Sequence, residues 1–145
     1  MQVINNYPNW LVPIEIAKKL KEIGFDEPTQ NRTSIEVLES KRYKEENKIW
    51  SGEHILKSNS YNANGYKDNL SIPTWEQVIE WFIDKNLIGT IEYRKFDEKD
   101  PYYAYCITNK MTKVLDYSSN TTRYSSYREA REALVNKLIE LYGNK

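Results

Sequence analysis

Few residues of this sequence have the types and the spacing that catalysis requires. There is one cysteine, Cys106, and one histidine, His54, so a Cys–His nucleophilic pair could be made only from these two side chains. Cys106 lies in an apolar, strand-like run, where a small buried side chain is expected. His54 lies in a polar stretch that is typical of a surface. Neither a glycine-rich phosphate loop nor a Gly-x-Ser-x-Gly elbow occurs, so the sequence predicts no catalytic residues and no cofactor.

An acidic cluster offers oxygen atoms of the kind that bind divalent cations. It comprises Asp97, Glu98 and Asp100, but its spacing differs from that of a calcium loop and Lys99 lies inside it. Such polar residues are typical of a solvent-exposed hairpin connection. A single cysteine also excludes an internal disulfide and a zinc site built from cysteines. The sequence therefore predicts no metal site.

Tyrosine is the residue type that stands out in the composition. The 145 residues include twelve tyrosines and four tryptophans but only three phenylalanines. Because tyrosine combines a large apolar ring with a polar tip, it is enriched at protein interfaces; it is also a favoured strand residue whose hydroxyl reaches water. Both interpretations stay open. Under the first, a protein partner or a second copy binds either a loop at residues 57–71 or an aromatic sheet surface made of Tyr102, Tyr103, Tyr105, Tyr117, Tyr124 and Tyr127.

Arginine side chains offer an alternative surface, which would contact the phosphates of a nucleic acid. Lys plus Arg total 21 and Asp plus Glu total 21, so the formal net charge is zero. A phosphate-binding surface needs at least a local basic excess, and the overall balance disfavours a nucleic-acid partner. The side chains that could form such a patch, together with Lys95, are Arg94, Arg123, Arg128 and Arg131.

The first half of the chain contains one clear helix. Pro13 suits a first helical turn, apolar residues then recur at helical spacing, and Gly24 is a natural stop, so the pattern predicts a helix over residues 13–23. Residues 29–73 are irregular or form short strands, with a strand or short helix at 33–39 and a short strand at 48–50. Residues 57–71 hold Ser, Asn, Gly and Lys with only isolated apolar side chains, which predicts a mobile loop.

The second half has stronger patterns. Thr74 with Gln77, and Ser126 with Glu129, match the capping box that begins a helix. The apolar stripes that follow predict helices over residues 75–85 and 126–142. Between these helices, strands at 87–96, 102–108 and 113–117 are expected to form an antiparallel meander.

These elements predict an α+β fold. It consists of an antiparallel meander of three strands, or slightly more, with helices packed on one face and the order α-β-β-β-α in the C-terminal half. We expect a single domain over residues 1–145, with an N-terminal helical part (1–28), the irregular part (29–73) and the α-β-β-β-α unit (74–145). No apolar run reaches the roughly 20 residues that span a bilayer, and a signal-peptide pattern is missing, so a cytoplasmic protein without a membrane partner is expected.

Three blocks of the sequence occur in the order Leu20–Pro28, Pro73–Phe82 and Tyr127–Leu134. Together they resemble a group of small uncharacterised proteins encoded in phages and prophages of Bacteroidetes-type bacteria. The resemblance spans most of the chain apart from residues 29–70. It implies a phage or mobile-element origin and a bacterial host cell, and it implies neither an activity nor catalytic residues.

The element order of residues 74–142 is also similar to that of double-stranded RNA-binding domains. This resemblance implies phosphate contacts at the start of the last helix, where Arg128 and Arg131 lie. Glu129 and Glu132 interrupt the two arginines, and the acidic stretch 97–100 stands where that family has a histidine loop. The sequence thus favours a non-catalytic protein–protein interaction module, with nucleic-acid binding as the alternative.

Overall fold

A computed structural model describes residues 7–34, 56–95, 100–111, 113–120 and 122–144 of the chain. The chain divides into two compact units, residues 1–75 and 76–145. No helix in these described stretches has both the length and the apolar content to cross a membrane.

The first unit begins with helix α1, Ile14–Glu22. Its buried side chains recur at helical spacing and form one apolar face: Ile14, Ile16, Ala17 and Leu20. The helix ends at Glu22, Ile23 is its C-cap, and Gly24 follows with a φ of 95°, in the left-handed region that favours glycine. The backbone N–H of Phe25 then donates to the Leu20 carbonyl at 2.9 Å. The predicted helix at 13–23 and its glycine stop are confirmed.

A three-stranded antiparallel sheet follows in the same unit. Strand β1 (Thr29–Ser34) is central and pairs with β2 (Leu56–Tyr61) on one side and β3 (Asn69–Ser71) on the other. The pairing gives β1 a strand conformation at 33–34, within the segment predicted as strand or short helix. Residues 35–39 and the strand predicted at 48–50 lie outside the described residues.

The prediction of a loop at residues 57–71 is wrong for most of that stretch. The stretch contains β2, a 3₁₀ turn at Ala63–Gly65 and β3. Asn64 explains much of the order, because its side-chain Nδ2 donates to the Phe25 carbonyl at 3.0 Å and its Oδ1 accepts from the Ser71 N–H at 2.8 Å. The Lys21 ammonium also donates to the Asn69 carbonyl at 2.6 Å. Bonds between distant residues thus hold a polar segment that apolar periodicity does not detect.

The second unit begins at residue 76, within helix α2, Trp75–Asp84. Beyond this helix, Asn86 adopts a φ of 66°. The N–H groups of Asn86 and Leu87 donate to the carbonyls of Ile83 and Phe82 at 3.0 and 2.9 Å, which is the hydrogen-bond pattern of a Schellman motif. The Asn86 side chain accepts the Lys110 N–H at 2.7 Å, so the end of α2 is joined to a distant turn.

The predicted meander is confirmed as the sheet of this unit. Strands β4 (Ile88–Arg94), β5 (Tyr102–Thr108) and β6 (Val114–Tyr117) lie in sequence order and are antiparallel. Helix α3, Tyr127–Gly143, closes the unit, and the Ser126 hydroxyl accepts the Glu129 N–H at 3.2 Å as the capping pattern predicted. The α+β class and the α-β-β-β-α order are therefore shown.

Helix α3 packs on β4 and β5. Five of its side chains are buried: Ala130, Leu134, Val135, Leu138 and Ile139. Gly89 of β4 makes close packing against this helix feasible, since a Cβ built on it would lie 2.7 Å from Cδ1 of Leu134. At the other end of α3, the Tyr142 ring lies edge-on to the rings of Trp81 and Phe82 from α2.

Replacing Gly89 tests this packing. We expect Gly89→Ala to lower the free energy of unfolding by about 1–3 kcal/mol, because the added methyl group overpacks a filled site and the fully buried Leu134 has no solvent to move into. Urea denaturation measures the change. Gly65→Ala is the control, because its nearest contact would be Asn62 Nδ2 at 3.4 Å. An equal loss in both variants would contradict the packing explanation.

Candidate functional site: an aromatic ladder beside helix α3

The register of the sheet divides the six predicted tyrosines between its two faces. Successive side chains of a strand point to opposite faces, and directly paired residues share a face. Tyr103 and Tyr105 therefore lie on one face, as their spacing predicts, and ring contacts with Tyr127 and Tyr124 show that it is the α3 face. Tyr102 lies on the opposite face. The six tyrosines do not form one surface.

Tyr105 belongs to the core of the unit. Its side chain is 7% exposed, its hydroxyl donates to Asp116 Oδ2 at 2.6 Å, and its ring stacks on that of Tyr124 at 6.3 Å between centroids. Its backbone N–H donates to the buried Ser118 hydroxyl at 2.8 Å. Burial first, and then the hydrogen bond to the Asp116 carboxylate, raise the pKa of the Tyr105 phenol above its ordinary value. Tyr105 thus serves packing and offers little area to a partner.

Three other tyrosines form a continuous row of rings, which we call the aromatic ladder: Tyr93, Tyr103 and Tyr127. The Tyr93 and Tyr103 centroids are 5.2 Å apart, and the Tyr103 and Tyr127 centroids are 6.1 Å apart in an edge-to-face arrangement. The guanidinium of Arg131 lies 5.7 Å from the Tyr127 ring. Tyr93 is 56% exposed and Tyr127 is 47% exposed, so both ends of the ladder present ring area to solvent.

A polar network occupies the opposite face of the sheet. Glu92 Oε2 accepts from Arg94 Nη2 at 3.0 Å and from the Tyr117 hydroxyl at 2.9 Å. The hydrogen bonds from Arg94 and Tyr117 lower the pKa of the Glu92 carboxyl. The Arg123 guanidinium lies 4.5 Å from the centroid of the Tyr102 ring. Tyr102 and Tyr117 therefore contact charged groups on this face and are separate from the ladder.

The four arginines predicted as nucleic-acid contacts are divided in the same way. Arg94 forms a salt bridge with Glu92, and Arg123 covers Tyr102, both on the face opposite α3. Arg128 and Arg131 lie three residues apart near the start of α3. The pKa of the Arg131 guanidinium is lowered, by burial first and also by the positive charge of Arg128, while Tyr127 acts in the opposite direction. The structure thus brings together two of the four.

Among the described residues, the groups considered for catalysis and metal binding lack the neighbours that would activate a thiol or complete a set of metal ligands. Burial raises the pKa of the Cys106 thiol, and the negative charges of Glu92 and Asp116 raise it further, which keeps the thiol protonated and weakly nucleophilic. Within the described ranges, no three His, Cys, Asp or Glu side chains are grouped so as to hold a metal ion. His54, Asp97 and Glu98 lie outside those ranges.

Sequence reasoning missed Tyr93 as a site residue. Tyr93 pairs directly with Tyr103 across the β4–β5 hairpin, which brings the two rings together. The hairpin could have identified Tyr93. Paired residues lie at equal distances along the chain from the centre of the hairpin, and a centre at residue 98 pairs 93 with 103. The strands predicted at 87–96 and 102–108 leave a connection at 97–101, whose centre lies one residue later and would pair Tyr93 with Tyr105 instead. An error of one residue at a turn therefore changes the tyrosine that contacts Tyr93.

The buried phenol of Tyr105 predicts a specific dependence of stability on pH. Its folded-state pKa lies above the ordinary value of 10.0, so its stabilising contribution is fully present below that pH and is lost as the pH rises through the folded-state value. We expect Tyr105→Phe to lose about 1–2 kcal/mol of unfolding free energy at neutral pH. We also expect a flatter decline than that of the wild type above about pH 10.

Denaturation in urea at a series of pH values measures both effects. Tyr93→Phe is the control, because its side chain is exposed and a change within about 0.5 kcal/mol is expected. Parallel pH profiles for the wild type and Tyr105→Phe would show that the Tyr105–Asp116 hydrogen bond does not stabilise the folded state.

The candidate site is thus the aromatic ladder, with Arg131 at its Tyr127 end and the first turn of α3 beside it. Comparisons with protein-family models, with curated proteins and with solved structures give no match for this chain.

Proposed function

We propose that this protein is a non-catalytic protein–protein interaction module whose contact surface is the aromatic ladder. The observation that carries the proposal is the exposure of Tyr93 and Tyr127 at the two ends of an ordered row of rings. Tyrosine and arginine are the residue types that dominate the energetics of protein interfaces. The ladder combines three tyrosines with Arg131 in one place.

The fixed positions of the rings strengthen the proposal. Association costs conformational entropy when side chains must be immobilised, at about 0.5–1.5 kcal/mol for each flexible side chain. Tyr103 is half-buried between its two neighbours and belongs to the central strand of the sheet. The ladder is therefore ordered before a partner arrives, and its exposed ring area can be covered at a lower entropic cost than that of flexible side chains.

Binding of nucleic acid is the second candidate function. Arg128 is exposed on the first turn of α3, Arg131 lies three residues later, and exposed Tyr127 could stack on an unpaired base. Against this, Arg94 is neutralised by Glu92, and the chain as a whole has no net charge. Two arginines give fewer phosphate contacts than the basic surface that affinity for nucleic acid requires. A protein partner is therefore the stronger proposal.

The proposed setting is the cytoplasm of a bacterial cell that carries a phage or prophage. It rests on the resemblance of the three sequence blocks to phage and prophage proteins. In that setting the module would act as an accessory protein that binds a host or phage protein, or a second copy of itself.

Substitutions in the ladder test the proposed surface. We expect Tyr103→Ala and Tyr127→Ala each to weaken binding of the protein partner about tenfold or more, because the first removes the middle ring of the ladder and the second removes the exposed ring beside Arg131. The measurement is affinity capture from lysate of the host bacterium, quantified by mass spectrometry, followed by titration of the purified captured protein. Circular dichroism confirms that each variant is folded.

Met111→Ala is the matched control, because Met111 is 82% exposed and lies on the β5–β6 turn, away from the ladder along the chain. The proposal requires capture that resists nuclease, that is lost with the ladder variants and that persists with Met111→Ala. Capture abolished by nuclease, with affinity falling steeply as salt is raised, would instead support nucleic-acid binding through Arg128 and Arg131. Equal capture by all variants would remove the ladder as the contact surface.

A further inference from the structure

Strand β4 forms one edge of the sheet in the second unit. Among the described residues it pairs with β5 on one side, and no described strand pairs with its other side. Its sequence, IGTIEYR, contains neither lysine nor proline, the residues that commonly prevent an edge strand from pairing with another chain. The strand is seven residues long and is paired with β5 over its whole length without a bulge.

The backbone groups that face this open edge can be identified from the neighbouring strand. Tyr103 exchanges two hydrogen bonds with Tyr124, at 2.7 and 2.9 Å, so its N–H and C=O point away from β4. Its partner Tyr93 therefore occupies a non-hydrogen-bonded position of the β4–β5 ladder, and its own N–H and C=O point outward. By alternation, Ile91 and Gly89 also direct their N–H and C=O to the open edge.

We infer that β4 pairs in an antiparallel manner with β4 of a second copy, in the register centred on Ile91. This register sets Ile91 opposite Ile91 and Gly89 opposite Tyr93. It is the antiparallel register in which all three outward-facing residues of each strand exchange hydrogen bonds with the other copy. The result is a continuous six-stranded antiparallel sheet made from two three-stranded ones.

The side chains are compatible with this register. It sets Thr90 opposite Glu92 and Ile88 opposite Arg94, so no two like charges stand directly opposite each other. Glu92 is already paired with Arg94 of its own chain at 3.0 Å. Gly89 has no side chain of its own opposite Tyr93 of the other copy, and Leu134 of α3 fills the space where its Cβ would lie. The zero net charge of the chain adds no long-range repulsion between copies.

This inference does not rest on the proposed function, because it uses the backbone of β4 rather than the rings of the aromatic ladder. Tyr103→Ala and Tyr127→Ala, the variants that test the ladder, leave the outward-facing groups of β4 in place. Loss of partner capture with an intact dimer, or loss of the dimer with intact partner capture, would therefore separate the two proposals.

Sedimentation velocity and amide exchange on the full chain test the pairing. We expect a concentration-dependent shift from a 17.3 kDa monomer to a species of twice that mass. In NMR hydrogen exchange, the amides of Gly89, Ile91 and Tyr93 should gain protection as the dimer forms, whereas the alternating amides of β4 are protected by β5 at all concentrations. A monomer up to about 0.5 mM, or a dimer without protection of these three amides, would overturn the inference.

Two substitutions at the exposed Thr90 test the register. Thr90→Glu sets two like-charged pairs against Glu92 across the dimer and is expected to raise the dimer Kd about fivefold or more, whereas Thr90→Lys sets two opposite charges and is expected to leave it unchanged or lower it. Equal effects of the two variants would overturn the register centred on Ile91. If either variant fails to fold, the amide pattern of the wild type decides.

Discussion

The arrangement of the second unit depends on two hydrogen bonds between Tyr103 and Tyr124. They attach the segment between β6 and α3 to the central strand, at 2.7 and 2.9 Å. Because of this attachment, α3 begins beside β5, and Tyr127 comes into contact with Tyr103. The same bonds determine which backbone groups of β5 face β6. Through the hydrogen bonds between β4 and β5, they also determine which backbone groups of β4 face outward. The contact of Tyr127 with Tyr103 and the direction of the outward-facing backbone groups of β4 both follow from this pairing.

Tyrosine has three distinct roles in this sheet. Tyr105 is buried and its hydroxyl is satisfied by Asp116, so the ring contributes to the core without leaving a polar atom unpaired. Tyr102 and Tyr117 contact charged side chains on the face opposite α3. Tyr93 and Tyr127 remain exposed. A surplus of one residue type in the composition therefore does not imply a single surface.

The first unit shows how polar residues order a segment that lacks an apolar pattern. Asn64 donates to the carbonyl of Phe25 and accepts from the N–H of Ser71, so it joins the end of α1 to β3. Lys21 donates to the carbonyl oxygens of Tyr66, before β3, and of Asn69, the first residue of β3. Desolvation lowers the pKa of this ammonium while the nearby charge of Asp68 raises it. The bonds from Asn64 to Phe25 and from Lys21 to Asn69 join residues more than 35 positions apart in the sequence.

The sequence alone determined the local elements, because local physics specifies them. Apolar spacing, the Ser126 cap and the Gly24 stop predicted the three α-helices of the described residues to within about two residues. Strand-type runs separated by turn residues predicted β4, β5 and β6. Tertiary structure alone decided the ordering of residues 57–71, the burial of Tyr105 and the inclusion of Tyr93 in the ladder. Each of these depends on register or on hydrogen bonds between distant residues, and a one-residue change in a turn alters every pair across a hairpin.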